Sequence, residues 1–262
     1  MSKQRKIALI TGASSGIGKA LAENFSRDGY DVILAARSID KMQLHATELE
    51  SRFGITATPI AVDLESQDGP TKLFSEVKDR GLFVNTLANN AGYGAFGEFK
   101  DTALESELAM MQLNMNAVVI LTKLFLPEII SAKGKIINTC STAAFQPGPY
   151  MAVYYASKSF VLSFSEALAA ELEGTGVTVT AFCPGPTASG FQDKASMQAS
   201  ALVKDKKLPT AEEVAALGYR AMQRGQRVYI PGVRNWLMAQ SVRFTPRSWV
   251  TTIVKSMSKP IE

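Results

Sequence analysis

The feature that most constrains the fold is a set of three glycines directly after the first apolar segment. Gly12, Gly16 and Gly18 follow residues 6–11 and open a helical pattern over residues 17–28. At such a turn the glycines permit a tight bend, a close backbone approach to a pyrophosphate, and close helix–strand packing. The helix N-terminus adds free N–H groups and partial positive charge. No Lys-Ser/Thr pair follows Gly16, so the loop is not a P-loop. It predicts a dinucleotide-phosphate site formed by Gly12, Ser14, Ser15, Gly16, Ile17 and Gly18.

Short apolar segments alternate with longer helical patterns along the rest of the chain. The apolar segments are nearly continuous, which is typical of parallel strands covered on both faces. We predict an α/β fold with a doubly wound parallel sheet of about seven strands and helices on both faces, in one domain over residues 1–262. The predicted strands are 6–11, 31–36, 55–62, 82–88, 135–140, 177–183 and 227–230, and the predicted helices are 17–28, 38–52, 69–78, 102–114, 117–131, 153–173 and 211–224.

Composition excludes several other classes of protein. The 262 residues are 46% hydrophobic, enough for a large core, and the net charge of +4 gives no reason to expect nucleic acid as a partner. Cys140 and Cys183 lie in apolar segments and His45 is the only histidine, so we expect no metal site and a reducing, cytoplasmic location. We see neither a signal peptide nor a segment near the roughly eighteen apolar residues that span a bilayer.

Three further motifs follow the glycine loop along the chain. They are Asn89-Asn90-Ala91-Gly92 after the fourth predicted strand, the pair Tyr154 and Lys158, and Pro184-Gly185-Pro186-Thr187 after the sixth. With Thr-Gly-Ala-Ser-Ser-Gly-Ile-Gly they resemble, over about residues 5–230, the NADP(H)-preferring single-domain branch of the short-chain dehydrogenase/reductase family. The resemblance implies a Rossmann-like fold, a small carbonyl or alcohol substrate, and a homodimer or homotetramer. It also implies cofactor contacts by Asn90, Ala91, Gly92, Tyr154, Lys158, Pro184, Gly185 and Thr187.

The end of the second predicted strand indicates which nicotinamide cofactor binds. An acid at this position holds the ribose 2′-hydroxyl in NAD-binding folds, but this chain has Ala36 followed by Arg37. A guanidinium can hold a 2′-phosphate by two parallel hydrogen bonds, which predicts NADP(H), unless Arg37 is only a surface residue at a helix start. Ser14 could add a hydroxyl contact. Asp63 and Leu64 resemble the family pair beside the adenine, and the alternative for Asp63 is a helix N-cap.

The spacing of Tyr154 and Lys158 predicts an acid/base pair. Four residues apart in a helix, both side chains lie on one face, while Tyr155 would point about 100° away. We expect the lysine ammonium and a positively charged nicotinamide to favour the phenolate of Tyr154. The tyrosine could then act as a base in oxidation or as an acid in reduction.

The resemblance supplies two further catalytic residues. Ser141, thirteen residues before Tyr154, matches the family serine that hydrogen-bonds the substrate oxygen, with Thr142 as the alternative. Asn114 fits the family asparagine that holds a water for proton relay, because Ala117 and the pair Leu121-Thr122 follow at the family's spacing. Asn116 is the alternative.

Two segments fall outside the strand–helix pattern. Residues 189–207 could be a substrate lid or a surface loop. Residues 231–262 are basic and aromatic, and could pack on the body of the protein, contact another subunit or lie on a membrane surface. Pro246 would interrupt a long helix there. Aromatic and methionine side chains beside the motifs could line an apolar pocket or belong to the core: Tyr93, Phe96, Phe145, Tyr150, Met151 and Phe191.

The main functional hypothesis is an NADP(H)-dependent oxidoreductase that acts on a ketone or secondary alcohol. Two alternatives remain on the same fold. One is a non-redox enzyme such as an epimerase or dehydratase, which would keep the tyrosine and lysine. The other is an NADP(H)-sensing protein without turnover, which would need only the phosphate site.

Overall fold

The computed structural model describes residues 5–188 and 208–259. The candidate lid, residues 189–207, and the pocket candidate Phe191 lie outside the described residues. A seven-stranded parallel sheet forms the centre, with the order β3-β2-β1-β4-β5-β6-β7. Its strands are β1 Ile7–Thr11, β2 Asp31–Ala36, β3 Ala57–Ala61, β4 Thr86–Asn89, β5 Lys135–Thr139, β6 Thr178–Phe182 and β7 Val228–Tyr229. The predicted doubly wound α/β fold is confirmed.

Helices cover both faces of the sheet. They are α1 Gly16–Arg27, α2 Ile39–Phe53, α3 Gly69–Asp79, α4 Leu104–Met111, α5 Ala117–Ser131, α6 Ala152–Glu171, α7 Ala211–Gln223, α8 Val233–Ser241 and α9 Arg247–Ser258. Helices α1, α2 and α7 share one core cluster, in which the Phe25 ring lies 5.0 Å from that of Tyr219. Helices α3, α5 and α6 share the other, around Phe125 and Leu168.

The strand order reverses between β1 and β4. In an open α/β sheet, ligands bind outside the carboxyl ends of the strands at such a reversal. The turn after β1 starts with Gly12, and the turn after β4 starts with Asn90. The fold therefore places the glycine loop and the Asn-Asn-Ala-Gly motif on the same crevice.

Helices α4 and α5 form one helix rather than two. A π-helical turn, Gln112–Asn116, joins them without a break. The joined helix Leu104–Ser131 is long and apolar enough to cross a membrane by length and composition, so the expectation that no segment approaches such a span was wrong. The predicted helix 102–114 therefore ended too early, because the chain stays helical through the π-helical turn. In the structure Ala117, Leu121 and Phe125 are buried in the core beside the sheet.

The C-terminal segment forms two helices that pack on the body of the protein. Pro246 separates α8 from α9 and is the N-cap residue of α9. Val250 and Val254 of α9 join a buried cluster with Met110 and Tyr155. A Cβ on Gly185 would lie 2.8 Å from Asn235 Nδ2, so α8 is in close contact with the turn after β6.

Candidate active site

The glycine loop has the conformation that a phosphate site needs. Gly12 and Gly16 have φ values of +67° and +55°, which residues with a Cβ rarely adopt. A Cβ on Gly18 would lie 2.3 Å from the Gly12 carbonyl oxygen and 2.5 Å from Asn90 Nδ2. Gly12 and Gly16 therefore shape the turn, while Gly18 allows α1 to pack directly beneath it.

Hydrogen bonds between strand ends fix the position of this loop. Thr11 Oγ1 accepts from the backbone N–H groups of Asn90 and Ala91, at 2.9 and 3.0 Å. The Asn90 side chain donates to the Thr11 carbonyl at 3.1 Å and accepts from Thr139 Oγ1 at 3.2 Å. The ends of β1, β4 and β5 are thus held together by side chains rather than by the sheet ladder alone.

One cavity of about 1300 Å³ runs from the glycine loop to Tyr154 and Lys158. It lies at the strand reversal, where doubly wound folds bind dinucleotides. Of the predicted cofactor-binding residues only Gly18 is absent from its lining, because it packs beneath the loop. The lining members are Gly12, Ser14, Ser15, Gly16, Ile17, Arg37, Asp63, Leu64, Asn90, Ala91, Gly92, Tyr154, Lys158, Pro184, Gly185 and Thr187. The glycine cradle and the volume of the cavity fit a dinucleotide.

Arg37 lies at the end of β2, and its guanidinium forms an ion pair with the carboxylate of Glu65. Arg37 Nη1 donates to Glu65 Oε1 at 2.8 Å, and the Arg37 side chain is 55% exposed. Ser38 and Lys41 line the same part of the cavity. Lys41 was not among the predicted cofactor-binding residues. Its position four residues after Arg37, on the same side of the start of α2, could have indicated that it faces the same part of the cavity.

Asp63 shapes the loop after β3. Its carboxylate accepts the backbone N–H of Glu65 at 3.0 Å, an Asx-type turn. The alternative that Asp63 caps a helix was wrong, because α3 begins at Gly69 with Asp68 as its N-cap. Asp63 and Leu64 instead remain on the cavity wall.

Tyr154 and Lys158 lie on one face of α6, at the cavity. Lys158 Nζ donates to the Thr139 carbonyl at 2.9 Å and lies 5.8 Å from the centre of the Tyr154 ring. The Ser141 hydroxyl hydrogen-bonds the Tyr154 phenol and also accepts the Ala143 N–H at 3.1 Å. Ser141 and Tyr154 thus lie together at the cavity, while the contact of Ser141 with a substrate oxygen stays a prediction.

Burial dominates the protonation of both titratable groups. It raises the pKa of Tyr154 well above its usual range, and the hydrogen bond from Ser141 opposes this only in part. Burial also lowers the pKa of Lys158. The expected lowering of the Tyr154 pKa by the Lys158 ammonium is not seen, because burial outweighs every opposing contribution. Burial therefore favours the neutral phenol of Tyr154.

The π-helical turn places Asn114 in the site. Asn114 is 1% exposed, and its amide donates to the Tyr93 carbonyl at 2.9 Å and to Ser157 Oγ at 3.1 Å. A Cβ on Gly92 would lie 2.9 Å from Asn114 Oδ1 and 3.4 Å from Lys158 Nζ, so both side chains approach this glycine. Asn116 is exposed and donates to Gln112. Such turns often mark functional sites, and this one favours Asn114 over Asn116.

The C-terminal helices supply a large part of the cavity wall. Their lining residues are Arg234, Asn235, Met238, Ser241, Val242, Thr245, Val250, Ile253, Val254 and Met257. Among the pocket candidates that the structure describes, Tyr93 and Met151 line the cavity, and Phe96, Phe145 and Tyr150 do not. Phe145 packs in a core cluster, and the Phe96 ring pairs with that of Tyr150 at 6.0 Å. The sequence contains no signal that these helices line the cavity, because their position depends on contacts with residues far away in the chain, such as Tyr155.

Tyr155 is held away from the acid/base pair. Its ring packs in one buried cluster with Val250 and Val254 of α9 and covers Gly148, where a Cβ would meet ring carbons at 2.2 Å. Burial raises the pKa of this phenol as well. Tyr155 therefore anchors α9 to α6.

Comparison with known proteins places this geometry in a family. Residues 6–200 match the family model described as short chain dehydrogenase. The chain belongs to the short-chain dehydrogenase family. Within that family it is 36% identical over 202 residues to a short chain dehydrogenase of Pseudocercospora fijiensis, and 33% identical over 208 residues to mouse 17-beta-hydroxysteroid dehydrogenase type 3. These matches cover 75% and 76% of this chain, but only 65% and 67% of the relatives' own lengths.

Solved short-chain dehydrogenases share the whole fold. One from Sphingobium yanoikuyae, in complex with NADPH, has a TM-score of 0.81 and 28% identity and covers 91% of this chain and 94% of its own. The bulky-bulky ketone specific alcohol dehydrogenase from Comamonas testosteroni has a TM-score of 0.78 and 28% identity, with 92% and 93% covered.

Proposed function

We propose that this short-chain dehydrogenase is an NADP(H)-dependent oxidoreductase that moves hydride between the nicotinamide and a ketone or secondary alcohol. The observation that carries the proposal is one continuous cavity with the glycine loop at one part of its wall and Ser141, Tyr154 and Lys158 at another. Family membership makes a nicotinamide cofactor the natural occupant.

Charge on the cavity wall supports NADP(H) over NAD(H). Arg37 and Lys41 line the wall beyond β2, and the strand ends in Ala36 rather than an acid. A relative of known structure holds NADPH. The ion pair with Glu65 keeps the guanidinium at the wall, from which it can turn to a 2′-phosphate because it is exposed on its other side.

The acid/base groups of the chain fit reduction of a carbonyl. The bound cofactor supplies the hydride. Tyr154 is buried and neutral, which is the form that donates a proton to the oxygen of the reduced substrate. Ser141, hydrogen-bonded to this phenol, can stabilise negative charge on the same oxygen. In this proposal Lys158 holds the nicotinamide ribose and Asn114 keeps the wall around Lys158 in place.

We propose an apolar ketone as the substrate class. Apolar side chains of α9 line the wall near the acid/base pair, including Val250, Val254 and Met257. Val250 and Val254 also pack in one buried cluster with Tyr155 of α6. One similar protein is named for bulky-bulky ketones, and another is named for a hydroxysteroid. A steroid is a large and mostly apolar molecule.

We further propose a cytoplasmic homodimer or homotetramer. Both cysteines are free and buried, as in a reducing compartment. Leu104, Leu108 and Phe160 are 62%, 53% and 43% exposed, and a second copy would cover them. Light scattering in solution would measure the mass, and a monomer would contradict this part of the proposal.

The test is a fluorescence titration with NADPH and NADH, followed by a panel of ketones in which NADPH consumption is measured. Tighter binding of NADPH with turnover of bulky apolar ketones supports the proposal. Equal or tighter binding of NADH would contradict the cofactor assignment. Binding without net NADPH consumption would instead indicate the epimerase, dehydratase or sensor alternatives.

A further inference from the structure

The outer face of the C-terminal helices is unusually apolar. Eight of the fifteen large hydrophobic side chains that are exposed in the described chain lie between Val233 and Met257. On α8 they form a stripe at positions i, i+3 and i+4, with Val233 76%, Trp236 49% and Leu237 55% exposed. Phe244, in the connection to α9, is 87% exposed. Monomeric proteins rarely leave such a group of side chains uncovered.

Helix α9 carries two apolar stripes, a buried one and an exposed one, which are offset by one residue. Val250 and Val254 face inward, while Trp249, Ile253 and Met257 are 66%, 52% and 42% exposed. Ile253 and Met257 also line the cavity. The outer stripe of α9 therefore borders the mouth of the cavity.

The same segment carries only positive charge. Residues 228–261 contain no Asp or Glu, and they contain five basic residues: Arg234, Arg243, Arg247, Lys255 and Lys259. All five are exposed, and among residues 5–188 and 208–259 no carboxylate lies within 4.0 Å of their side-chain nitrogens. We call the exposed side chains of residues 233–259 the tail surface.

We propose that the tail surface docks on an anionic membrane and that the cavity opens toward it. Exposed Trp, Phe and Leu side chains interleaved with Arg and Lys are the combination that binds at the interface of an anionic bilayer. Because Arg234 and Met257 belong both to the tail surface and to the cavity wall, a docked molecule would present the cavity mouth to lipid. An apolar molecule could then enter without crossing water.

A second copy of the chain fits the tail surface less well. A two-fold symmetric contact places the same patch against itself. Such a contact would bring the five unpaired cations of one copy against those of the other, with no acid in the segment to neutralise them. An anionic lipid surface supplies the missing negative charge.

The test uses the full chain and vesicles of stated composition. Trp236 and Trp249 are the only tryptophans in the protein, and both lie in the tail surface. We expect a blue shift of tryptophan emission and co-sedimentation with mixed phosphatidylcholine–phosphatidylserine vesicles, both weakened by salt, and neither with phosphatidylcholine alone. Each Lys or Arg near an anionic surface contributes about fivefold to partitioning, so Arg243→Glu with Arg247→Glu should lower it by at least about 25-fold.

Matched variants distinguish vesicle binding by the tail surface from non-specific binding by other exposed hydrophobic side chains. Trp236→Ser with Trp249→Ser should abolish co-sedimentation, while Leu44→Ser with Phe99→Ser, which removes side chains 76% and 67% exposed elsewhere, should not. Lys100→Glu with Lys123→Glu is the charge control. Absence of binding to the mixed vesicles overturns the proposal. A mass that falls to that of a monomer in the double tryptophan variant, without vesicle binding by the wild type, would overturn it in favour of a subunit contact.

Discussion

Arg37 donates to Glu65 at 2.8 Å on the wall of the cavity, at the end of β2. The pair joins the loops after β2 and β3, whose strands are neighbours in the sheet. The guanidinium is therefore positioned, but a carboxylate competes for it. Cofactor preference in this protein should depend on both residues, and in opposite directions.

Replacing Arg37 with Asp should weaken NADPH binding and favour NADH. Hydrogen bonds to charged groups contribute about 1.5–3 kcal/mol, so we expect about 10- to 150-fold weaker NADPH binding by fluorescence titration. Arg27→Asp is the matched control, because Arg27 is 58% exposed and also pairs with a glutamate, but does not line the cavity. An unchanged ratio of NADPH to NADH affinity in Arg37→Asp would remove Arg37 from the site.

Replacing Glu65 with Gln should strengthen NADPH binding. The substitution frees Arg37 and removes a negative charge near the 2′-phosphate. Exposed ion pairs contribute about 0.2–1 kcal/mol, so the Kd for NADPH should fall by about 1.4- to 5-fold. Glu23→Gln removes a comparable partner from Arg27 and Arg52 and should leave the Kd unchanged. Weaker NADPH binding in Glu65→Gln would show that the ion pair supports the site rather than competing with it.

Asn114→Ala should cost both stability and turnover. The change removes the hydrogen bonds to Tyr93 and Ser157, and a buried group that loses its partner costs about 1–3 kcal/mol. Urea unfolding and the rate of ketone reduction check the two effects. Asn116→Ala, on the exposed side of the same turn, should change the free energy of unfolding by less than about 0.5 kcal/mol. Equal effects of the two substitutions would refute the choice of Asn114.

His45 should make the protein less stable at mildly acidic pH. Burial, followed by the charge of Lys19, lowers the pKa of His45 below its usual value. Between about pH 6.5 and the lowered value the unfolded chain binds more protons than the folded chain, so stability falls as pH falls through this window. His45 is the only histidine. The pH dependence of urea unfolding should therefore flatten in His45→Gln, and a slope equal to that of the wild type would contradict the argument.

The strands and the glycine loop could be predicted from sequence because their signals are local. Each strand is a short, largely apolar run, and Gly12 stands at a turn where φ is positive, a conformation that favours glycine. The position of Tyr154 relative to Lys158 follows from helix geometry alone. Asn114 came from resemblance. The π-helical turn that buries it depends on its contacts with Tyr93 and Ser157, from other parts of the chain.

Two features of the site could not be predicted from sequence. The raised pKa of Tyr154 depends on the burial of its phenol, which does not follow from a four-residue spacing. The role of α9 as a cavity wall depends on the packing of Val250 and Val254 against Tyr155, which lies far from them in the sequence. The composition of residues 231–262 showed only that this segment is basic and rich in aromatic side chains.

The most direct test of the central claim compares the rates of NADPH-dependent ketone reduction by Tyr154→Phe and Tyr155→Phe, with NADPH binding measured for both. Each change removes one buried phenolic hydroxyl from adjacent positions of α6. The account predicts that Tyr154→Phe binds NADPH but loses turnover, because no proton reaches the substrate oxygen, while Tyr155→Phe retains turnover. Activity that survives in Tyr154→Phe, or that is lost equally in both variants, would contradict the assignment of Tyr154 as the proton donor.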